Sequence, residues 1–122
     1  MSKRILLVDD SSVMRKLVTR AIRQTGLDVE VVAEAGNGKE ALTALRSQPI
    51  DLVFCDWNMP EMNGLEFVVE ARKSHQTPIV MLTTEGTSDK SQEALSAGAN
   101  AYLTKPFTPE SLMAKMRVLL GV

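Results

Sequence analysis

Short aliphatic runs alternate with longer amphipathic segments along the whole chain, and this alternation limits the folds that are open to it. The clear runs span residues 5–8, 29–33, 52–55 and 79–82, and a weaker run spans residues 101–104. Apolar runs of this length are typical of parallel strands that are covered on both faces. The sequence therefore predicts five strands.

The segment between the first two runs has the spacing of a helix with one apolar face. Its apolar residues recur three and four positions apart: Met14, Leu17, Val18, Ala21 and Ile22. Glycine is common just past the end of a helix, and Gly26 stands there. We therefore expect a helix that buries these side chains and ends near Gly26.

Start signals mark two further helices. Asn37 is followed three residues later by Glu40, and Asn63 is followed three residues later by Glu66. Asparagine is a favoured residue at a helix start, and an acidic residue three positions on resembles a capping box. The sequence therefore predicts helices that begin at these two asparagines.

The last two helices differ in their apolar content. Apolar side chains are sparse in residues 88–97, so this helix has a poor packing face, whereas the helix that starts at Pro109 carries a full apolar stripe. The strict alternation of strands and helices predicts an α/β fold. Five helices would wrap both faces of a doubly wound, five-stranded parallel sheet.

Size and charge exclude several classes of protein. A chain of 122 residues has the usual length of one domain, so we expect residues 1–122 to form one domain without an output domain. The net charge of -1 offers no strong field for nucleic acid. No apolar run approaches the roughly 18 residues that span a bilayer. Direct nucleic-acid binding and membrane insertion are therefore not expected.

The cysteine content and the N-terminal residues indicate a cytoplasmic protein. Cys55 is the single cysteine, which excludes an internal disulfide and a zinc site built on cysteines. Lys3 and Arg4 precede an apolar run as in a secretory signal, but Asp9 and Asp10 end that run too early. We expect a reducing compartment and a buried, inert thiol.

Polar side chains stand at the carboxyl ends of four of the five predicted strands. Asp9 and Asp10 follow the first strand, Asp56 the third, Thr83 the fourth and Lys105 the fifth. Ligands of open parallel sheets bind beyond this edge. A lone aspartate there is more often a helix cap than a ligand, but three of them with a threonine and a lysine favour a site.

The chemistry of these residues indicates phosphoryl transfer. Three neighbouring carboxylates repel one another and need a cation, and hard oxygen ligands suit Mg²⁺ better than zinc. Lys105 can pair with one phosphoryl oxygen while the Thr83 hydroxyl donates to another. A carboxylate can itself act as the nucleophile and form an acyl phosphate. Asp56 is the candidate because it lies centrally among these residues.

The order and spacing of these motifs resemble the receiver domain of two-component response regulators over the whole chain. The motifs are Val-Asp9-Asp10-Ser, Asp56-Trp-Asn-Met-Pro60, Thr83 and Lys105-Pro-Phe107. Trp57, Asn58, Glu85 and Tyr102 resemble the single-domain chemotaxis regulators most closely. The resemblance implies a flavodoxin-like fold with the strand order 2-1-3-4-5.

The resemblance also implies a role for each acidic residue. Asp56 would accept a phosphoryl group from a histidine kinase. Asp10, Asp56 and the backbone carbonyl of Asn58 would bind Mg²⁺ directly, and Asp9 would act on the metal through water. No other cofactor is implied.

The remaining site residues would read out phosphorylation. Lys105 would contact the phosphoryl group and Thr83 would move towards it, while Thr84 would influence access to it. Tyr102 would turn inward and change the face formed by the fourth helix, the fifth strand and the fifth helix. A downstream protein would bind this face, and a phosphatase is a possible further partner. The bond before Pro106 is expected to be cis.

Several rival interpretations remain open at this point. The chain can be a chemotaxis-type effector, a phosphorelay intermediate or a receiver cut from a longer regulator. As a receiver it is no enzyme beyond its own phosphoryl transfer and autodephosphorylation. The enzyme rival is a Mg²⁺-dependent phosphohydrolase with an aspartyl nucleophile. The segment Gly36-Asn-Gly-Lys39 superficially suggests a phosphate loop, but it lacks the first glycine and the final Ser or Thr, so we interpret it as a turn.

Overall fold

Strands and helices alternate through the computed structural model, which describes residues 2–84 and 88–122. The strands are β1 (Lys3–Val8), β2 (Val29–Ala35), β3 (Leu52–Asp56), β4 (Ile79–Thr83) and β5 (Ala101–Thr104). The helices are α1 (Ser12–Gln24), α2 (Gly38–Ser47), α3 (Gly64–Ala71), α4 (Ser88–Ala97) and α5 (Pro109–Leu120). The predicted α/β alternation is confirmed, and Glu85 lies outside the described residues.

The sheet is parallel throughout and has the order β2-β1-β3-β4-β5, as expected. The strand order reverses between β1 and β3, which is where a ligand site is expected in such a sheet. Strands β3 and β4 each run one residue further than predicted, because Asp56 pairs with Leu82 and Thr83 pairs with Thr104. Asp56 and Thr83 are therefore held by the sheet itself.

Alternating strand residues build a core on each side of the sheet. In β1, Ile5 and Leu7 face the layer of α1 and α5, while Leu6 and Val8 face the layer of α2, α3 and α4. All four of these side chains are at most 2% exposed. Burial on both faces explains why the strand sequences are continuously apolar.

The helix caps agree with the predicted starts, with one difference. Asn63 and Glu66 form a complete capping box at α3. At α2 the Asn37 side chain accepts from the Glu40 N–H, but the Glu40 carboxylate accepts from the Gly36 N–H at 2.9 Å instead of from the cap residue. The reciprocal half of that predicted box is therefore wrong.

The predicted stripe of α1 is only partly buried. Val18, Ala21 and Ile22 pack into the core, whereas Leu17 is 49% exposed and lines an open groove with Phe107. Leu17 lies at the edge of the apolar face, where α5 and the β5–α5 loop do not cover it. Within residues 2–84 and 88–122, no helix combines the length and the apolar character that a membrane crossing requires.

Gly64 lets the start of α3 approach the end of β3 closely. Its N–H donates to the Trp57 carbonyl at 2.8 Å. A Cβ atom at this position would overlap the Asp56 carbonyl oxygen and would lie 2.7 Å from Met81 Cε. A glycine is therefore required where the first turn of α3 packs behind Asp56.

We expect Gly64→Ala to lower the free energy of unfolding by about 1–3 kcal/mol, the usual cost of forcing atoms into a packed interior. Urea denaturation followed by circular dichroism measures this loss. Gly36→Ala is the matched control, because the nearest atom to a Cβ there is Glu40 Oε1 at 3.6 Å. The control should change by no more than about 0.5 kcal/mol. Equal losses in the two variants would contradict the steric account.

Candidate functional site

Three carboxylates meet at the carboxyl edge of the two central strands. Asp9 and Asp10 follow β1, and Asp56 is the last residue of β3. One carboxylate oxygen of each lies within 4.8 Å of the others. Asp9 is buried, Asp56 is half-buried and Asp10 is exposed, so the cluster opens to solvent on one side. The residues that sequence reasoning placed together at this edge are together in the structure.

Lys105 supplies the positive charge that faces this cluster. Its Nζ lies 3.4 Å from Asp9 Oδ2 and 3.2 Å from Asp56 Oδ1. The side chains of Lys105, Asp9 and Asp56 are only 12%, 7% and 13% exposed. Charges so far removed from water need a partner of opposite sign, and one lysine here serves two carboxylates.

Hydrogen bonds of both the side chain and the backbone hold Asp9 in place. Its Oδ1 accepts from the Ser11 N–H at 2.9 Å while Oδ2 faces Lys105. Its own N–H donates to the Ala35 carbonyl at 3.0 Å, and its carbonyl accepts from the Arg15 guanidinium. Both carboxylate oxygens of Asp9 are thus already engaged. Sequence reasoning missed Arg15, whose position on a helix face gave no signal for this contact.

Asp56 lies between a backbone N–H, the Lys105 ammonium and the Asp9 carboxylate. Its Oδ1 accepts from the Trp57 N–H at 2.9 Å and from Lys105. Burial raises the pKa of Asp56 above its ordinary value, Lys105 lowers it, and the negative charge of Asp9 raises it again. The net pKa shift is upward, so the charged form of Asp56 is disfavoured by its surroundings.

Trp57 connects the site to α4. The indole ring is buried, and the Lys90 ammonium lies 4.7 Å from the ring centroid in a cation–π contact. Sequence reasoning did not assign Lys90, because a lysine on a polar helix carries no sign of which aromatic ring it will face.

The other predicted site residues lie around the cluster at different depths. Thr83 is buried at the end of β4, and its carbonyl accepts from the Lys105 N–H at 2.7 Å. Tyr102 is half-buried on β5 and packs against the same core layer as Met81, two residues before Thr83. Because side chains two apart in a strand share a face, Thr83 and Tyr102 point to the same side of the sheet.

Three further predicted residues stand at the rim. Asn58 is exposed in the loop that follows Asp56, and Thr84 is exposed directly after β4. The peptide bond between Lys105 and Pro106 is cis, in agreement with the expectation. Among the described residues, the structure records no contact between the carboxylate cluster and the side chain of Asn58 or Thr84.

The donor set fits a small, hard, divalent cation. Three carboxylates within 4.8 Å of one another supply only oxygen, and the exposed side leaves room for water. Mg²⁺ keeps several waters and uses one or two protein carboxylates, which agrees with this arrangement. A lysine beside the cluster adds a positive group for the oxygens of an anionic substrate.

Comparisons with known proteins agree with these features. The response regulator receiver domain family matches residues 5–117. A chemotaxis protein CheY homologue of Campylobacter jejuni is 43% identical over 122 residues, which cover 97% of this chain and 92% of that protein. The chemotaxis protein CheY1 of Helicobacter pylori is also 43% identical, with 97% of each chain covered.

The fold also resembles that of a solved chemotaxis protein. A structure of the Vibrio cholerae chemotaxis protein CheY4 superimposes with a TM-score of 0.85 at 38% identity, and the match covers 98% of this chain and 99% of that chain. The likeness extends over the whole sheet and its helices, not over the acidic edge alone.

We expect Asp56→Asn to raise the melting temperature of the metal-free protein at pH 7. The pKa of Asp56 is raised in the folded state, so the unfolded chain ionises first as the pH rises and the wild type loses stability. The amide escapes this loss and keeps its hydrogen-bond acceptor. The difference should vanish below the ordinary aspartate pKa of about 3.9, where the carboxyl is protonated in both states.

Thermal unfolding in EDTA at pH 7 and at low pH measures this difference. Asp28→Asn is the control, because the Asp28 side chain is exposed and its Oδ1 accepts from the exposed Ser2 hydroxyl at 2.6 Å. The control should melt like the wild type at both pH values. A melting temperature of Asp56→Asn at or below that of the wild type at pH 7 would show that Lys105 fully offsets the burial of Asp56.

Proposed function

The chain belongs to the response regulator receiver domain family of two-component signalling, and from this premise we propose that Asp56 accepts a phosphoryl group from a histidine kinase in a Mg²⁺-dependent reaction. The observation that carries the proposal is the single cluster formed by Asp9, Asp10, Asp56 and Lys105. We treat residues 1–122 as one receiver domain. The proposed role is a chemotaxis-type effector, because the chemotaxis relatives match over 92% and 97% of their lengths.

Asp10, Asp56 and the carbonyl of Asn58 would hold Mg²⁺ directly. Asp10 is exposed and Asn58 lies in the loop directly behind Asp56, so both can face the open side of the cluster. Both oxygens of Asp9 already accept hydrogen bonds, which favours its action through a bound water. The metal would offset the charge that builds up on the phosphoryl oxygens.

In the proposed transfer, a carboxylate oxygen of Asp56 attacks the phosphorus of a phosphohistidine. A new O–P bond forms, the P–N bond breaks and the imidazole leaves. Lys105, now 3.2 Å from Asp56 Oδ1, would pair with a phosphoryl oxygen. Attack by water later splits the acyl phosphate and returns the aspartate, which limits the lifetime of the signal.

The proposed output is a change in the face formed by α4, β5 and α5. Thr83 is buried beside the cluster and shares a sheet face with Tyr102, so movement of its hydroxyl towards the phosphoryl group opens space for the tyrosine ring. A shift from 1:99 to 99:1 between two states requires about 5.5 kcal/mol of differential free energy. New charge-assisted contacts of Thr83 and Lys105 are of the right kind to supply it. Thr84 would control access to the phosphoryl group.

We expect Mg²⁺ to change the fluorescence of Trp57, the single tryptophan of the chain, because its N–H is bonded to Asp56. Binding should be weak, since few protein groups replace the waters of the ion. Asp10→Asn should lower the affinity at least about 10-fold, because even groups that only support a metal ligand are worth that much. Asp28→Asn should bind like the wild type. An unchanged spectrum of the wild type at high Mg²⁺ would refute the metal site.

We expect incubation with acetyl phosphate and Mg²⁺ to add one phosphoryl group to the wild type and to Asp28→Asn, and none to Asp56→Asn. Intact-mass spectrometry followed by peptide mapping measures the product. Modification of the Asp56→Asn variant at the native site would contradict the assignment of the nucleophile. Turnover of an external phosphate ester far above the rate of self-dephosphorylation would instead favour the phosphohydrolase interpretation.

A further inference from the structure

Two loops at the carboxyl edge of the sheet are joined by a contact that the site chemistry does not require. Asn37, at the end of the β2–α2 loop, is 7% exposed, and its Nδ2 donates to Glu61 Oε2 at 3.0 Å. The next residue, Gly38, donates its N–H to the Met62 carbonyl at 2.9 Å. Both acceptors belong to the β3–α3 loop, which begins directly behind Asp56.

This contact lies at the same edge of the sheet as the acidic cluster. Strand β1 lies between β2 and β3, so the β2–α2 and β3–α3 loops follow the two neighbours of β1. Asp9 and Asp10 follow β1 at that end. The β3–α3 loop also carries Asn58, whose carbonyl is the proposed third ligand of the metal.

The β3–α3 loop contains a turn with an uncommon backbone conformation. Glu61 has a φ of 63°, which is uncommon for a residue with a side chain, and the Met62 N–H closes a tight turn onto the Pro60 carbonyl at 2.7 Å. The Asn37 amide bonds to the side chain of the residue at the centre of this turn. Gly38 permits the approach, because a Cβ there would lie 2.8 Å from Met62 Sδ.

Asn37 uses the two ends of its amide for two different tasks. Its Oδ1 accepts from the Glu40 N–H at 2.9 Å and caps α2, while its Nδ2 reaches across to Glu61. Capping alone needs only the oxygen, and aspartate caps helices as well as asparagine does. The second contact is therefore the part of Asn37 that a helix start does not explain.

We infer that Asn37 is a positioning residue for the metal site, which acts through Glu61 to fix the loop that carries Asn58. The inference rests on the proposed Mg²⁺ site and adds to it a group that no motif of the site contains. Loss of the Asn37 contact leaves the Gly38–Met62 bond as the link between the two loops, so the loop that carries Asn58 is held less firmly and the cation is bound less tightly.

The test compares Mg²⁺ titrations of Trp57 fluorescence in the wild type, Asn37→Asp, Glu61→Gln and the double variant. Asn37→Asp keeps the helix cap but places a carboxylate next to the Glu61 carboxylate. We expect this variant to weaken Mg²⁺ binding by about 10-fold, the lower end of the effect of residues that support a metal ligand. Glu61→Gln still accepts from the Asn37 amide and should bind like the wild type. The double variant restores the hydrogen bond with donor and acceptor exchanged, and it should regain wild-type affinity.

A purely electrostatic effect predicts a different result for both single variants. The extra negative charge of Asn37→Asp alone would tighten cation binding, and the charge lost in Glu61→Gln would weaken it. Either result, or a double variant no better than Asn37→Asp, would overturn the inference. If the wild type titrates normally and Asn37→Asp binds Mg²⁺ equally well, the positioning role is refuted but the proposed metal site is not. A wild type without any Mg²⁺ response would remove the proposed metal site and the positioning role together.

Discussion

The mutual repulsion of three carboxylates at one sheet edge, two of which share Lys105, is the constraint on which the rest of this structure depends. Asp9, Asp10 and Asp56 would separate if their backbones were free to move. Their strands are not free, because the side chains of β1 and β3 are buried on both faces of the sheet. Burial of apolar surface thus maintains an arrangement that electrostatics opposes.

This opposition leaves the negative charge at the site only partly compensated. Burial and the neighbouring charge of Asp9 raise the pKa of Asp56, and a cation at the proposed metal site would offset that charge. Lys105 is shared between Asp9 and Asp56, and in the proposed phosphorylation it would pair with a phosphoryl oxygen instead of with Asp56 alone. Thr83 and Lys105 are joined through the backbone, and Trp57 joins Asp56 to α4. Direct contacts therefore connect the acidic cluster to β5 and to α4.

The sequence was sufficient for most of the fold and for the reactive residues. Apolar runs identified the strands, because parallel strands that are covered on both faces are continuously apolar. Helical spacing of apolar residues and capping residues identified the helices. The acidic edge followed from the sheet rule, because the residues after parallel strands meet whatever their separation in the chain. The expected burial failed for Leu17, whose helical spacing is correct but which is 49% exposed in a groove that it lines with Phe107.

Apolar periodicity, helix caps and the chemistry of residues at strand ends are properties of neighbours in the chain, and the sequence by itself determined them. The tertiary structure alone decided which polar groups pair across the fold. Lys105 meets Asp9 from 96 residues away, and Asn37 meets Glu61 from 24 residues away. Sequence periodicity does not predict such pairs, because one polar side chain can reach any of several partners. The packing of the strands and helices that carry the two side chains sets the distance between them. That distance determines which groups pair.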